Sequence, residues 1–262
     1  MTDQVYMLAS CRKPELLAST LLVFKTFRVG FPSARLTVFV NAMPEACASA
    51  VGQECDAVRA ESVLPISTVH DQWIERLIQC GQGPFWICDT DLVFLKPVEG
   101  WFSDSAAMMS GRWIPTWDEE WTKTRSIERL HTCLMYLDPV QMRDRMREWC
   151  ANLPRSPFHP RVEFIRQHYV PGRNSRTVLY DTMAGAWHAL GGTPFTAEQD
   201  AAFEHLNCGT YADLVAPHLK SGPEPPKNWQ DIFAEPKLAS GLQAYQKQYY
   251  AALAPKELES EL

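Results

Sequence analysis

The first hundred residues alternate between short apolar runs and segments with helical spacing, and this alternation limits the folds open to the chain. Val5–Ser10 reads as a buried strand. Pro14-Glu15 opens a helix with proline in its first turn, and an apolar stripe follows through Leu16, Leu17, Leu21, Phe24 and Phe27. Gly30 and Pro32 end it. Leu36, Val38 and Val40 alternate with Thr37 and Phe39, which predicts a second strand over Arg35–Val40. Asn41-Ala42-Met43-Pro44 is a turn, followed by a short helix over Glu45–Val51 and a strand near Ala57–Ala60. His70–Cys80 carries Trp73, Ile74, Leu77 and Ile78 at helical spacing, and Gly81, Gly83 and Pro84 stop it. An apolar strand that begins at Phe85 and carries Asp89 and Asp91 completes the series. The pattern predicts an α/β fold with a central, mostly parallel sheet flanked by helices. Ligands in such sheets bind at the carboxyl ends of strands.

At 262 residues, with 46% hydrophobic and 21% charged, the chain can bury a full core in one large domain or two small ones. A net charge of −6 argues against a nucleic-acid partner. Leu16–Phe27 is too short and too interrupted to span a bilayer, so no transmembrane segment is expected. Thr2-Asp3-Gln4 lacks the basic start of a signal peptide. A cytoplasmic protein is expected, with peripheral attachment at the inner membrane face left open. The eight cysteines form no Cys-x-x-Cys pair, which predicts reduced, mostly buried thiols rather than a structural zinc site.

Beyond residue 100 the pattern loosens. Strands are expected at Ala106–Met109 and Thr132–Leu137, and helices at Val140–Asn152 and Tyr180–Leu190, the latter closed by Gly191-Gly192. Residues 154–175 read as a loop or insertion. The expected organisation is a catalytic-type domain over 1–220. A Pro-rich linker and C-terminal helix over 221–262 would pack on it.

The chemistry concentrates at Phe85-Trp86-Ile87-Cys88-Asp89-Thr90-Asp91-Leu92-Val93-Phe94. In an extended segment Asp89 and Asp91 point to the same side, so two carboxylates can meet one cation at a strand end. Such oxygen ligands suit Mg²⁺ or Mn²⁺. The competing reading is a pair of solvated acids in a turn.

This segment resembles the metal-binding Asp-x-Asp stretch of GT-A fold glycosyltransferases that use nucleotide-diphosphate sugars. The resemblance spans roughly residues 5–215 and runs toward the glycogenin-like and lipopolysaccharide galactosyltransferase-like members. It implies that Asp91 ligates a divalent ion, Mn²⁺ or Mg²⁺, on the donor diphosphate. Asp89 would share the ion or bind the donor's ribose and sugar. Late in the chain, Phe203-Glu204-His205-Leu206-Asn207-Cys208-Gly209 matches the family's His followed by Gly, which implies His205 as third ligand and Gly209 beside the diphosphate. The family's Lys-Pro-Trp ending is missing. By the same resemblance, Ala9, Ser10 and Arg12 at the end of the first strand would face the nucleotide. His131 and Thr132 would touch the sugar, where the family more often has Asn-Ala-Gly. Asp181 would orient the acceptor or act as base, and it also suits a helix N-cap. Trp113, Trp117 and Asp118 belong to a cluster of three tryptophans and three acids within nine residues, fit for an acceptor site or for a packed loop. The resemblance implies a UDP-sugar donor, a glycan, lipid or protein acceptor, and retention of anomeric configuration.

Two alternatives stand beside it. Asp89-Thr90-Asp91-Leu92-Val93 also fits the nucleophile motif of haloacid-dehalogenase-like phosphatases, with Asp89 attacking phosphate. That family places the motif on its first strand and needs a later acidic pair, neither of which is seen here. The other alternative is a domain that binds sugar nucleotides without turnover.

Overall fold

A computed structural model describes residues 3–10, 22–62, 70–102, 107–119, 124–150, 161–163, 177–180 and 182–205. In chain order the elements are strand β1 (Gln4–Ser10), helix α1 (Leu22–Gly30), β2 (Arg35–Asn41), α2 (Glu45–Gly52), β3 (Ala57–Ser62), α3 (His70–Cys80), β4 (Phe85–Cys88) and β5 (Leu92–Phe94). There follow β6 (Met109–Ile114), β7 (Trp117–Glu119), β8 (Thr124–Ser126), β9 (Arg129–Leu137), α4 (Pro139–Cys150), β10 (Arg161–Glu163) and β11 (Thr177–Tyr180). The last are α5 (Ala184–Leu190), β12 (Thr193–Pro194), α6 (Ala197–Asp200) and β13 (Phe203–His205). The expected α/β fold is present: a mostly parallel central sheet of seven strands ordered β12-β6-β9-β4-β1-β2-β3. A four-stranded sheet, β10-β11-β8-β7, and a two-stranded sheet, β13-β5, accompany it. The chain divides into two compact units, drawn from residues 1–68, 88–100 and 198–262, and from residues 69–87 and 101–197.

In the first unit, β1 and β2 run parallel in unbroken register from Gln4↔Arg35 to Ser10↔Asn41. Val5, Met7 and Ala9 are fully buried, as are Leu36 and Val38, so the period-2 pattern is that of strands packed on a core. Helix α1 packs on β5. The Phe94 amide donates to Thr26 Oγ1 at 3.0 Å, and the Gly30 carbonyl accepts from Val98 N at 2.8 Å and Glu99 N at 3.0 Å. The rings of Phe27, Phe31, Phe94 and Phe203 meet at centroid distances of 5.3 to 6.4 Å. Each fully buried ring of this kind stabilises by about 1.5–3 kcal/mol relative to exposure. Gly30 is required by this packing: a Cβ there would lie 2.6 Å from Phe94 Cγ. The edge of the unit is tied by Asp56, which accepts from Leu36 N at 2.7 Å and from Arg28 Nη2 at 3.1 Å.

In the second unit, Trp86 of β4 sits among Trp101, Phe102, Tyr136 and Phe195, with centroids 5.6 to 6.4 Å away. Arg143 of α4 donates to the Ile78 and Gly81 carbonyls at 2.5 and 2.6 Å, closing the C-terminal end of α3. Strands β6 and β9 pair antiparallel, with a register shift between Gly111 and Arg112.

Several expectations shift. The strand expected at Ala106–Met109 begins at Met109 and runs to Ile114. The helix expected from Tyr180 begins only at Ala184, because Met183 adopts a left-handed φ of 68° that no helix interior tolerates. Residues 177–180 instead form β11, and 161–163, read as loop, pair with it as β10. Gly191, at φ 70°, ends α5 as its sequence position suggested. Five described cysteines carry reduced thiols; Cys47, Cys88 and Cys133 are buried, while Cys80 is exposed. Among the described residues no helix is long and apolar enough to cross a membrane. The start of the first helix and the tail over 221–262 lie outside the described residues.

Two predictions follow from this packing. Gly30→Ala is expected to lower unfolding free energy by about 1–3 kcal/mol through overpacking against Phe94. Gly83→Ala, where an added Cβ meets nothing within 4 Å, is expected to leave urea unfolding unchanged. The second concerns pH. The Asp56 carboxyl is held below its ordinary 3.8, chiefly by the Leu36 backbone N–H and then by Arg28. Its folded value lies below its unfolded one, so its contribution is complete above about 3.8 and is lost as pH falls through the folded value. The stability gap between wild type and Asp56→Asn should therefore narrow as urea midpoints are measured from pH 6 down to pH 2.5.

Candidate metal centre

Strand β4 is buried along its length and ends at Cys88, so the chain leaves the core at Asp89. Thr90 and Asp91 then form a turn, and β5 starts at Leu92. The extended geometry expected for Asp89-x-Asp91 is therefore not found. The reason lies in pairing: β5 does not continue β4 but pairs antiparallel with β13. The chain must change direction between the two strands, and the turn does so. The two carboxylates still converge.

The β5–β13 register decides where the histidine goes. Phe203 pairs with Phe94, Glu204 with Val93 and His205 with Leu92, which sets His205 across from the residue after Asp91. The Leu95 and Lys96 amides both donate to the Ala202 carbonyl, at 2.8 and 3.1 Å, closing the other end of the pair. His205 Nε2 lies 3.1 Å from Asp91 Oδ1 and 3.9 Å from Asp89 Oδ2. The Asp91 side chain is 7% exposed, His205 12% and Asp89 29%.

These three residues fit a divalent ion. Their candidate ligand atoms all lie within 4.8 Å of one another. Two ligands about 2.1 Å from one Mg²⁺-sized ion can stand at most about 4.2 Å apart, and the separations of His205 from Asp89 and Asp91 both meet that limit. Two carboxylates supply charge for a hard cation, and an imidazole tilts the set toward Mn²⁺ over Mg²⁺. The buried Asp91 and the half-buried Asp89 would leave room on the more exposed side for ligands from a bound molecule.

The other sequence-predicted residues divide by what the structure describes. Ala9 is fully buried near the end of β1, so only its backbone can face a ligand. Ser10 closes β1 and is half-buried; its Oγ accepts from Asn41 Nδ2 at 3.1 Å. Arg12, Asp181 and Gly209 lie outside the described residues. The N-cap position of α5 is Met183. In the second unit Trp113 lies on β6, 46% exposed, and Trp117 and Asp118 belong to β7. Of the tryptophan-rich cluster, residues 113–114 and 117–119 form strand, and residues 120–121 lie outside the described residues. His131 and Thr132 are half-buried, two and three residues inside β9 rather than at its start. His131 Nδ1 accepts from the Cys133 amide at 3.1 Å, which fixes the ring.

No protein-family model matches the sequence, and no curated protein matches it. Solved structures similar to this chain include the glycosyltransferase GlyE of Streptococcus pneumoniae, 8% identical over 76% of this chain and 46% of that one, at a TM-score of 0.44. They also include the galactosyltransferase LgtC in complex with donor and acceptor sugar analogues, 10% identical over 99% of this chain and 100% of that one, at 0.46. A third is the mannosyltransferase PcManGT from Pyrobaculum calidifontis in complex with GDP-Man and Mn²⁺, 12% identical over 100% of this chain and 89% of that one, at 0.43. The chain spans less than half the length of GlyE.

Mn²⁺ titrated into the purified chain is expected to bind with a measurable heat and to raise the melting temperature. Asp91→Ala and His205→Ala should each remove at least a tenfold share of that affinity. Because the imidazole must be neutral to ligate, binding should weaken in acid. Mn²⁺ affinity unchanged in Asp91→Ala would exclude this centre.

Proposed function

We propose that this chain is a metal-dependent glycosyltransferase of the GT-A type, which moves a sugar from a nucleotide-diphosphate donor to an acceptor. The observation that carries the proposal is the convergence of Asp89, Asp91 and His205 at the turn after β4. This is the ligand set that the sequence resemblance assigns to the donor diphosphate. A divalent ion bound there would act as a Lewis acid on the departing diphosphate, whose negative charge grows as the sugar–phosphate bond breaks. Asp91 and His205 would hold the ion from the protein side, and Asp89, more exposed, would share it or bind the donor's ribose and sugar. UDP is the proposed nucleotide, with Ala9, Ser10, Arg12 and Gly209 on the donor side. Trp113, Trp117, His131 and Thr132 are proposed sugar or acceptor contacts. Asp118 and Asp181 are proposed to orient the acceptor hydroxyl or take its proton. The acceptor is proposed to be a glycan, lipid or protein. The proposed catalytic domain covers 1–220.

The phosphatase alternative fits the geometry less well. It needs the second aspartate free to exchange a proton with the leaving group. Asp91 is instead 7% exposed, with its carboxylate 3.1 Å from His205. Three strands also precede β4 in the chain.

Slow hydrolysis of a UDP-sugar panel in the absence of acceptor, followed by release of UDP, tests the proposal. Release is expected to require Mn²⁺ or Mg²⁺ and to fall at least a hundredfold in Asp91→Ala. No thermal shift and no hydrolysis with any nucleotide diphosphate-sugar would overturn it. Phosphomonoester hydrolysis lost in Asp89→Ala would install the phosphatase instead.

A further inference from the structure

Strand β5 lies between a strand and a helix, all within the first unit. On one edge it pairs with β13, and just past its end the Leu95 amide donates to the Ala202 carbonyl at 2.8 Å. Successive amides of a strand point to opposite edges, so the Phe94 amide points away from β13. Among the described residues no strand runs along that second edge, because the sheet has two strands. A side chain takes the place of one: Phe94 N donates to Thr26 Oγ1 of α1 at 3.0 Å. Thr26 is 1% exposed, where a valine of similar shape would bury no hydroxyl at all. Its own hydrogen goes to the Val23 carbonyl at 3.5 Å, which leaves a lone pair for the Phe94 amide. One helical turn further on, the Gly30 carbonyl takes the Val98 and Glu99 amides. Helix α1 thus holds the chain that follows Asp91 at two backbone points.

We propose that Thr26 is a positioning residue for the ion at Asp89, Asp91 and His205: its hydroxyl fixes where β5 sits along α1, and so whether Asp89 can share the ion with the other two. The inference rests on the proposed function only for that ion. The register makes Asp91 and His205 travel together, since Leu92 faces His205 and Asp91 immediately precedes Leu92. Asp89 stands outside the β5–β13 pair, before the turn. A slide of β5 therefore changes the reach between His205 and Asp89 first. That separation is 3.9 Å, against a limit of about 4.2 Å for two ligands of one Mg²⁺-sized ion, so the slack is about 0.3 Å. The rings of Phe27, Phe31 and Phe94 hold the strand to the helix, but apolar attraction is non-directional and tolerates a shift of this size. A hydrogen bond does not: from 3.0 Å the Phe94–Thr26 bond can lengthen by about 0.2 Å before it leaves the ordinary range. The hydroxyl thus selects, among the positions the rings allow, one that keeps all three side chains within reach of one ion.

The test measures, on the full chain, Mn²⁺ affinity by calorimetry, the electron paramagnetic resonance spectrum of the bound ion, and urea stability. Thr26→Val is expected to weaken Mn²⁺ binding roughly three- to tenfold and to broaden the Mn²⁺ spectrum as the ligand spacings spread. Thr26→Ser keeps the oxygen and should hold affinity within about twofold of wild type. Thr26→Cys offers a weaker acceptor, should lose affinity in the same direction, and carries the test if Thr26→Val fails to fold. Val51→Ala removes buried volume from α2 in the same unit; it should lower urea stability and leave Mn²⁺ affinity unchanged. Thr26→Val added to Asp89→Ala should cost little beyond Asp89→Ala alone, because the hydroxyl acts through the reach to Asp89. Wild-type Mn²⁺ affinity in both Thr26→Val and Thr26→Cys, an equal loss in Val51→Ala, or strictly additive losses with Asp89→Ala would overturn the positioning role. A wild-type chain that binds no Mn²⁺ would remove the centre itself, and this role with it. A chain that binds Mn²⁺ but cleaves no nucleotide sugar would overturn the proposed function and leave the role of Thr26 standing.

Discussion

The packing of Phe94 is the interaction on which the candidate centre depends. Its amide is held by Thr26 Oγ1 and its ring by Phe27, Phe31 and Phe203. Helix α1 therefore fixes β5, and β5 fixes β13 by pairing. Since β13 has only three residues, the placement of its last one, His205, follows from that of its first, Phe203. The absence of a side chain at Gly30 lets the helix approach the ring closely enough for this to work. An aromatic contact in the core thus controls the geometry of a polar site several residues away. Isolated two-stranded pairs are marginal in water, so the aromatic cluster rather than the ladder supplies the rigidity.

The trap of four rings also explains why the turn at Thr90-Asp91 is tolerated. A strand that simply continued β4 would carry Leu92, Val93 and Phe94 onward in the central sheet. All three are fully buried where they are, against α1 and β13. The apolar run on either side of the two aspartates is therefore divided between two sheets. The acids fall at the division, where the backbone is free of ladder bonds and the side chains can face a ligand.

Elements whose cause is local were legible in the sequence. Helix α3 runs over the His70–Cys80 span that its apolar spacing and the following glycines mark. Strands β1 and β2 follow their alternation to within a residue at either end. The two acids and His205 were also legible, because residue type and chain order resemble a known pattern. The turn between the acids was not, since it results from β5 pairing with a segment about a hundred residues later. Nor was the late start of α5, which depends on a left-handed Met183 that no residue preference announces. Local chemistry was readable; what tertiary pairing imposes was not.

The β5–β13 pair has a consequence for the order of events when the chain folds. Its two strands are separated by nearly half of the chain, so closing them costs loop entropy that local elements such as β1–α1–β2 do not incur. A chain growing from its N-terminus can form the parallel β1–β2–β3 ladder early. It exposes Asp89 and Asp91 long before residue 205 has been made. During that interval the two acids have no imidazole beside them, and the Phe94 ring lacks its Phe203 neighbour. The three residues of the candidate centre are thus brought together by the same late step that closes the aromatic core. An ion held at the candidate centre would then report that this half of the molecule has finished folding.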